Sequence, residues 1–348
     1  MVRTKTKIMD VKGCINILKD PAYVVPEYGP FFHELEAATG LEFTQLKSVF
    51  TLNLFALNGV EHQQQRKVIA NYLRKNTLQS FRSSFSAIVA QEFGLLSGNE
   101  IDLYPCCEIL SYRCVYAYLG VNEKYHTKYL ECLDTLRRLV TFGNPKKVKD
   151  YVRAETALTT LSELLFNADG LHDSSLVFGM GTELPDKAEL FAIVVVLLAG
   201  SGALASTLAN MILQFGIQDN AGRQKILATD NYPLLIECLL FTCGGTKEVF
   251  RTLGNDTSTV FHLDIDAASQ SFSAKHDTVD CANLSGWGNL AFGAGMHRCV
   301  GEKLARLILE VAVESLLNKW PNLSVLGYDR TAFFLGSERK DLWCRLHP

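Results

Sequence analysis

Residues Phe292-Gly293-Ala294-Gly295-Met296-His297-Arg298-Cys299-Val300-Gly301 run directly into Glu302-Lys303-Leu304-Ala305-Arg306, and this junction decides the reading of the chain. Gly293 and Gly295 let the backbone take conformations that a side chain forbids, and Gly301, behind the cysteine, lets a flat ligand come close. Apolar residues at Leu304, Ile308, Val311, Ala312 and Leu316 recur at helical spacing until Pro321 ends the run. Cys299 therefore stands at the mouth of a helix, where free amide N–H groups and the positive helix end favour thiolate over thiol. This is the pattern of a cysteine presented to a metal. A zinc or purely structural cysteine is the simpler alternative, but no Cys-x-x-Cys pair exists to complete a four-ligand set around His297-x-Cys299.

The string Phe-Gly-x-Gly-x-His-x-Cys-x-Gly resembles, position for position, the haem-ligand loop of the cytochrome P450 superfamily. The resemblance implies that Cys299 is the axial ligand of haem b, with thiolate donation that favours oxygen activation. It further implies that Phe292 shields the sulfur, that Gly293 and Gly301 border the macrocycle, and that His297 reaches a haem propionate.

Composition sets wider bounds. A chain of 348 residues with 48% hydrophobic content can bury a large core, and no linker, repeat or low-complexity tract divides it, so a single domain over 1–348 is expected. A net charge of -3 and the lack of a basic stripe with interleaved aromatics argue against nucleic acid as a partner. Ten scattered cysteines without framework spacing, and no apolar signal segment after Met1, point to a reducing cytoplasm. The basic start, Arg3, Lys5 and Lys7, reads as a frayed terminus. A short helix is expected around Gly13 to Leu18 with a Lys19-Asp20-Pro21 stop; by the resemblance, the family's usual front portion is shortened here.

Further motifs extend the resemblance through the chain. After the Asn58-Gly59 turn, His62 and Arg66 lie four apart on one helical face, as does the family's His-x-x-x-Arg pair on a haem propionate. On residues alone, the glutamines Gln63, Gln64 and Gln65 favour a solvated helix face instead. Ile101 to Phe166 reads as largely helical, with Leu119-Gly120-Val121 ending one helix and Asn144-Pro145-Lys146-Lys147 breaking another. Val249-Phe250-Arg251 resembles the strand whose arginine holds a propionate. Ala332-Phe333-Phe334-Leu335-Gly336 resembles a hairpin that reaches the substrate.

Leu190 to Leu213 carries no charge, which is long enough for a membrane span. An Asp186/Glu189 capping box, interruption by Gly200, Ser201, Gly202, Ser206 and Asn210, and missing aromatic and basic flanks favour a buried helix with no membrane contact. By the resemblance this is the helix over the haem. Its Ala-Gly-x-Asp/Glu-Thr signature is broken. From Ala199-Gly200 the acid falls on Gly202 and the alcohol on Ala203; a second register keeps Thr207 as alcohol but puts Ser206 at the acid. The candidate distal positions are therefore Ser201, Gly202, Ala203 and Thr207. The family's Glu-x-x-Arg pair is lost as well, falling on Cys238 and Phe241 or on Glu237 and Leu240, so packing alone should hold that helix. No Phe-x-x-Asp-Arg-Phe pattern occurs between Asp264 and Asn289, which implies a shortened or rebuilt segment before the cysteine loop.

The expectation is a mainly α fold with a small β region, a divergent, compact, soluble bacterial-type cytochrome P450 with haem b between the long central helix and the Cys299 loop. The implied activity is oxidation of a small molecule or short peptide in natural-product tailoring, with non-standard or substrate-assisted proton delivery. Arg298, Lys303 and Arg306 read either as a docking surface for an acidic ferredoxin donor or as a solvated helix face. The alternatives are a non-redox haem-thiolate lyase, isomerase or dehydratase, and a catalytically degenerate haem- or substrate-binding partner protein.

Overall fold

Threonine, threonine and isoleucine alternate with lysines in Thr4-Lys5-Thr6-Lys7-Ile8, a period of two, and they form the first strand, β1 (Thr4–Ile8). Lys5 and Lys7 thus do not fray, whereas Arg3 lies outside the described residues. The strand pairs in parallel with β5 (Asp256–Asp264), Lys7 binds Asp264 at 2.9 Å, and Lys5 lies 5.3 Å over the Phe250 ring. The computed structural model describes residues 4–73, 75–140, 146–166, 170–172, 175–184, 186–228, 231–254, 256–273, 289–329 and 341–347. Asn144, Pro145, the 332–336 hairpin and most of the stretch between Asp264 and Asn289 lie outside them.

By packing, the chain divides into two compact units, each drawn from separated segments. The first unit takes residues 1–24, 75–112 and 202–348. It opens with β1, α1 (Val11–Lys19) and β2 (Tyr23–Val24). Asp10 caps α1 by accepting from the Gly13 N–H at 2.7 Å, and the helix stops at Asp20 as expected. Its buried face, Cys14, Ile17 and Leu18, packs with Leu263 of β5, with Ile265 and Ala268 of the following helix, and with Leu290 and Ala294 at the cysteine loop. β4 (Glu248–Leu253) completes a four-stranded sheet in the order β1-β5-β4-β2. A second sheet orders β3 (Glu100–Asp102), β7 (Leu342–Arg345) and β6 (Ser324–Tyr328) as β3-β7-β6, all antiparallel. The remaining helices wholly within this unit are α5 (Lys75–Ser80), α6 (Arg82–Leu95), α12 (Asn220–Leu227), α13 (Tyr232–Leu239), α14 (Ile265–Ser273) and α15 (Glu302–Lys319). The apolar spacing read in α15 is real: Leu304, Ile308, Val311, Ala312 and Leu316 are all buried, and the helix closes at Trp320 before Pro321.

The second unit takes residues 25–74 and 113–201. It holds α2 (Gly29–Thr39), α3 (Thr44–Thr51), α4 (Gly59–Tyr72), α8 (His126–Val140), α9 (Val148–Phe166) and α10 (Leu176–Glu183). The Glu155 carboxylate of α9 accepts from the Gln45 and Leu46 amides in the first turn of α3, both at 2.9 Å, which satisfies two donors the helix cannot. Two helices run through both units, α7 (Tyr104–Leu119) and α11 (Lys187–Gly216). α7 ends at Gly120 with φ of +77°, and a side chain there would meet Ser175 at 2.6 Å, so glycine is required twice over.

α11 is one continuous helix of 30 residues, so its glycines and serines do not interrupt it. The proposed capping box is half realised. Asp186 accepts from the Ala188 and Glu189 amides, at 2.7 and 3.3 Å, whereas the Glu189 carboxylate takes the side chain of buried Gln65 at 2.9 Å. α11 has the length and apolarity of a membrane span, but 72% of its most apolar window is buried within the protein. The chain is mainly helical with two small sheets, as expected.

Gly200 and Gly245 lead to opposite predictions. A Cβ on Gly200 meets nothing within 4 Å, whereas one on Gly245 would lie 2.0 Å from the Ala203 carbonyl oxygen of α11. Gly200→Ala should stabilise the protein by roughly 0.5–1 kcal/mol through helix propensity, and Gly245→Ala should destabilise it by about 1–3 kcal/mol through overpacking. Denaturant unfolding of the two variants checks the sign of each.

Candidate functional site

The cysteine loop is built on two left-handed glycines, Gly293 with φ of +69° and Gly295 with φ of +67°. Gly295 is also pressed against α1: a Cβ there would stand 1.9 Å from the Leu18 carbonyl oxygen. Between them the chain doubles back, so that the Cys299 N–H donates to the Phe292 carbonyl at 2.8 Å. A single 3₁₀ turn, Gly295–His297, leads to Arg298 and Cys299, and Gly301 caps α15. Among the described free cysteines, Cys14, Cys106, Cys107, Cys114, Cys132, Cys243 and Cys344 are buried and Cys299 alone is exposed. Burial pushes the thiols of Cys14, Cys106 and Cys344 up to about 12. Those cysteines pack as small apolar groups, and Cys299 is the one placed to serve as a ligand.

Charged residues hold the loop on its outer side. Glu302, in the first turn of α15, binds Arg298 through both oxygens at 2.5 and 2.7 Å and Arg306 at 2.9 Å. Arg306 also pairs with Glu237 of α13, and its guanidinium lies 5.2 Å over the Phe292 ring. Glu237 in turn accepts from the Asn289 side chain at 2.6 Å. α13 is therefore not held by packing alone, although the Glu-x-x-Arg pair is gone: the missing arginine is answered from α15. The same pairings engage Arg298 and Arg306, so the basic surface read near Cys299 is largely neutralised, although Arg298 and Lys303 are both exposed.

The chain between α13 and β4 links the loop to α11. A Cβ on Gly244 would touch Ala291, beside Phe292, at 3.6 Å, and one on Gly245 would meet Ala203 and the Thr207 hydroxyl. Further along, Arg251 on β4 is only 6% exposed, and its guanidinium donates to the Phe250 carbonyl at 2.7 Å. These residues, with Phe292, Gly293, His297, Cys299, Gly301, Gly202, Ala203 and Thr207, all belong to the first unit. His62, Arg66 and Ser201 belong to the second. His62 and Arg66 share one face of α4 as expected, but the face is not solvated, since His62 is completely buried. Burial, then the Arg66 charge, lower the His62 pKa, so the imidazole is neutral and offers a ring N–H rather than a cation.

α11 shows one open side. Between Phe191 and Leu213, exposure is retained only by Val196, Leu197, Ala199, Gly200 and Ala203. Gly202 is buried, roughly 200° round the helix from Gly200. Thr207 lies in line with the open side, but Gly245 covers it. The hydroxyls of Ser201, Ser206 and Thr207 donate back to the helix at Leu198, Gly202 and Ala203, at 2.7, 3.1 and 2.9 Å. No side chain on the open side carries an exchangeable proton. Ser201 does accept from Arg137 Nη2 at 3.2 Å, and Arg137 on α8 is only 8% exposed. That buried cation was hidden in the sequence by its neighbour Arg138, which forms an exposed pair with Asp134.

The donor set fits a haem held through a thiolate. An exposed sulfur stands behind two left-handed glycines, and the glycine at 301 would carry a Cβ only 3.8 Å from it, so no side chain crowds the sulfur from that side.

Comparison with known proteins supports the fold over nearly the whole chain. CalO2 superposes with a TM-score of 0.79 at 16% identity, covering 98% of this chain and 90% of its own. P450BioI, solved in complex with a fatty-acyl carrier protein, gives 0.77 at 18%, covering 98% and 92%. The monooxygenase TamI, solved with tirandamycin C bound, gives 0.76 at 19%, covering 98% and 89%. Sequence matches are local. A vitamin D3 dihydroxylase of Streptomyces griseolus is 30% identical over 140 residues, 40% of this chain and 30% of that protein. The plant-inducible cytochrome P450-pinF1 of Rhizobium radiobacter is 54% identical over 39 residues, 11% of this chain and 9% of that protein. The chain thus aligns with less than a third of the length of these relatives. No protein-family profile matches it.

Glu302 provides a pH test. Burial raises its pKa, but the bonds from Arg298 and Arg306 outweigh that and hold the carboxyl below its ordinary value. A depressed folded value means that its contribution is present above the unfolded value of about 4.3 and disappears as pH falls through the folded one. The stability difference between the wild type and Glu302→Gln, on the order of 1 kcal/mol at pH 7, should close on acidification below that range. Paired thermal melts from pH 7 to pH 3 measure it, and a difference that persists at pH 3 contradicts the assignment.

The chain thus has the fold of the cytochrome P450 structures on which it superposes, and its local sequence matches are to cytochromes P450 and a vitamin D3 dihydroxylase.

Proposed function

We propose that this chain is a haem-thiolate oxidoreductase that modifies a small molecule or short peptide in natural-product tailoring. The exposed Cys299 at the mouth of α15, alone among buried thiols, carries this reading. Superposed neighbours include CxnD, for C–S bond formation in chuangxinmycin biosynthesis, and TxtC, for thaxtomin hydroxylation. Haem b fits the residues at hand. Cys299 would supply the thiolate ligand, with Phe292 beside it in the loop. Arg251 and His297 would serve the propionates, with Gly293 and Gly301 leaving room for close approach, and His62 and Arg66 of the second unit are assigned to the same group by the resemblance alone. When bound, such a group supplies one-electron and oxygen chemistry, with the thiolate pushing electron density toward O–O cleavage.

What the chain itself contributes is an apolar distal side. Ala203 and Gly200 hold no proton, and the hydroxyls of α11 are committed to its own carbonyls. Proton delivery therefore falls to water or to a hydroxyl, amine or carboxylate of the substrate itself. General acid help of this kind is worth about a hundred- to ten-thousand-fold in rate. Substrates with such a group should turn over productively, and purely hydrophobic ones should yield mainly peroxide. The buried face of Gly202 removes it as a place to restore the acid. A ferredoxin donor and a cytoplasmic setting complete the proposal, with docking less dependent on Arg298 and Arg306 than their sequence suggests.

The same proton-poor side favours a second reading, a non-redox lyase, isomerase or dehydratase, which needs no such relay. Turnover with and without oxygen and reductant separates the two. The oxidative reading expects product only when both are present; product formed without either promotes the non-redox class. Cys299→Ala should abolish the red-shifted Soret band of the reduced carbon monoxide complex, and a band that survives the substitution removes Cys299 from the ligand role.

A further inference from the structure

Glu237 touches both ends of the cysteine loop. One carboxylate oxygen accepts from Asn289, three residues before Phe292, and the other pairs with Arg306, five residues after Gly301. Arg306 passes the contact to Glu302 at 2.9 Å, and Glu302 passes it to Arg298 at 2.5 and 2.7 Å, next to Cys299. Alternating charges thus run from α13 to the residue beside the sulfur, all within one compact unit. Arg306 also lies over the ring of Phe292, whose carbonyl accepts from the Cys299 amide. Any shift of Glu237 is thereby transmitted to the loop by two routes, one through Asn289 and one through Arg306.

We propose that Glu237 is the positioning residue of the cysteine loop, fixing through Arg306 and Asn289 the direction in which Cys299 presents its sulfur. This rests on the reading of Cys299 as a haem ligand. Glu237 is 42% exposed, and exposed ion pairs contribute little to global stability. Its effect should therefore appear in ligation and not in the melting temperature.

The test uses haem-loaded full-length protein, reduced under carbon monoxide, and follows the loss of the thiolate-type Soret band on mild warming. Glu237→Gln should lose the band roughly five-fold faster or more, the factor carried by about one charge-assisted contact. Asn289→Ser, which leaves the ion pairs in place, should shift the rate in the same direction, and Glu237→Asp should recover part of the loss. Arg82→Gln is the control: it removes the pairs with Glu310 and Glu314 on the same helix α15, at 2.7 and 2.9 Å, away from the loop. It should lower the melting temperature slightly and leave the band unchanged. Equal rates in Glu237→Gln, Asn289→Ser and Arg82→Gln overturn the proposal. A wild-type protein that never shows the band overturns the ligand reading instead. If Glu237→Gln does not fold, Asn289→Ser against Arg82→Gln decides alone.

Discussion

One hydrogen bond, from the Cys299 amide to the Phe292 carbonyl, closes the turn on which the rest of the site depends. Two glycines with positive φ make that closure possible, and one of them, Gly295, also accepts the backbone of α1 at a distance no side chain would tolerate. The loop is therefore fixed from within by its turn and from beneath by α1, whose buried residues share a cluster with Ala294. Cys299 is left as the only exposed free thiol among the described residues, at the end of a helix whose opposite face is fully packed. An exposed sulfur and its support come from one short stretch.

Two losses from the superfamily pattern have different consequences. The acid and alcohol of the central helix are not replaced on α11: its open side is glycine, alanine, valine and leucine, and its hydroxyls are spent on local carbonyls. The lost arginine on α13 is replaced, because Glu237 recruits Arg306 from the next turn of the site. Individually such pairs are worth about 0–1 kcal/mol, so the replacement matters for geometry more than for stability. Together these facts describe a chain that keeps its cysteine scaffold while the open side of its long helix carries no proton donor.

The cysteine loop, α15, α1, the His62/Arg66 face and the strand of Arg251 were legible because each rests on local spacing: glycines, caps, and apolar residues three and four apart. What escaped is non-local. Lys5 and Lys7 look like a charged tail until β5 supplies Asp264 and the Phe250 ring is placed beneath. Glu237 looks like half of a broken motif until α15 brings Arg306 to it. His62 reads as solvated beside three glutamines, yet Gln65 is itself buried and bound to Glu189, 124 residues away. Helical continuity across Gly200 and Gly202 was likewise invisible, since tertiary packing overrides the cost of glycine in a helix.

In the proposed enzyme the Cys299 sulfur binds the haem iron. Iron K-edge X-ray absorption on the purified, haem-loaded protein reads this directly, without substrate or redox partner. One sulfur scatterer is expected in the first coordination shell, absent in Cys299→Ala. A shell of nitrogen and oxygen alone in the unaltered protein would contradict it.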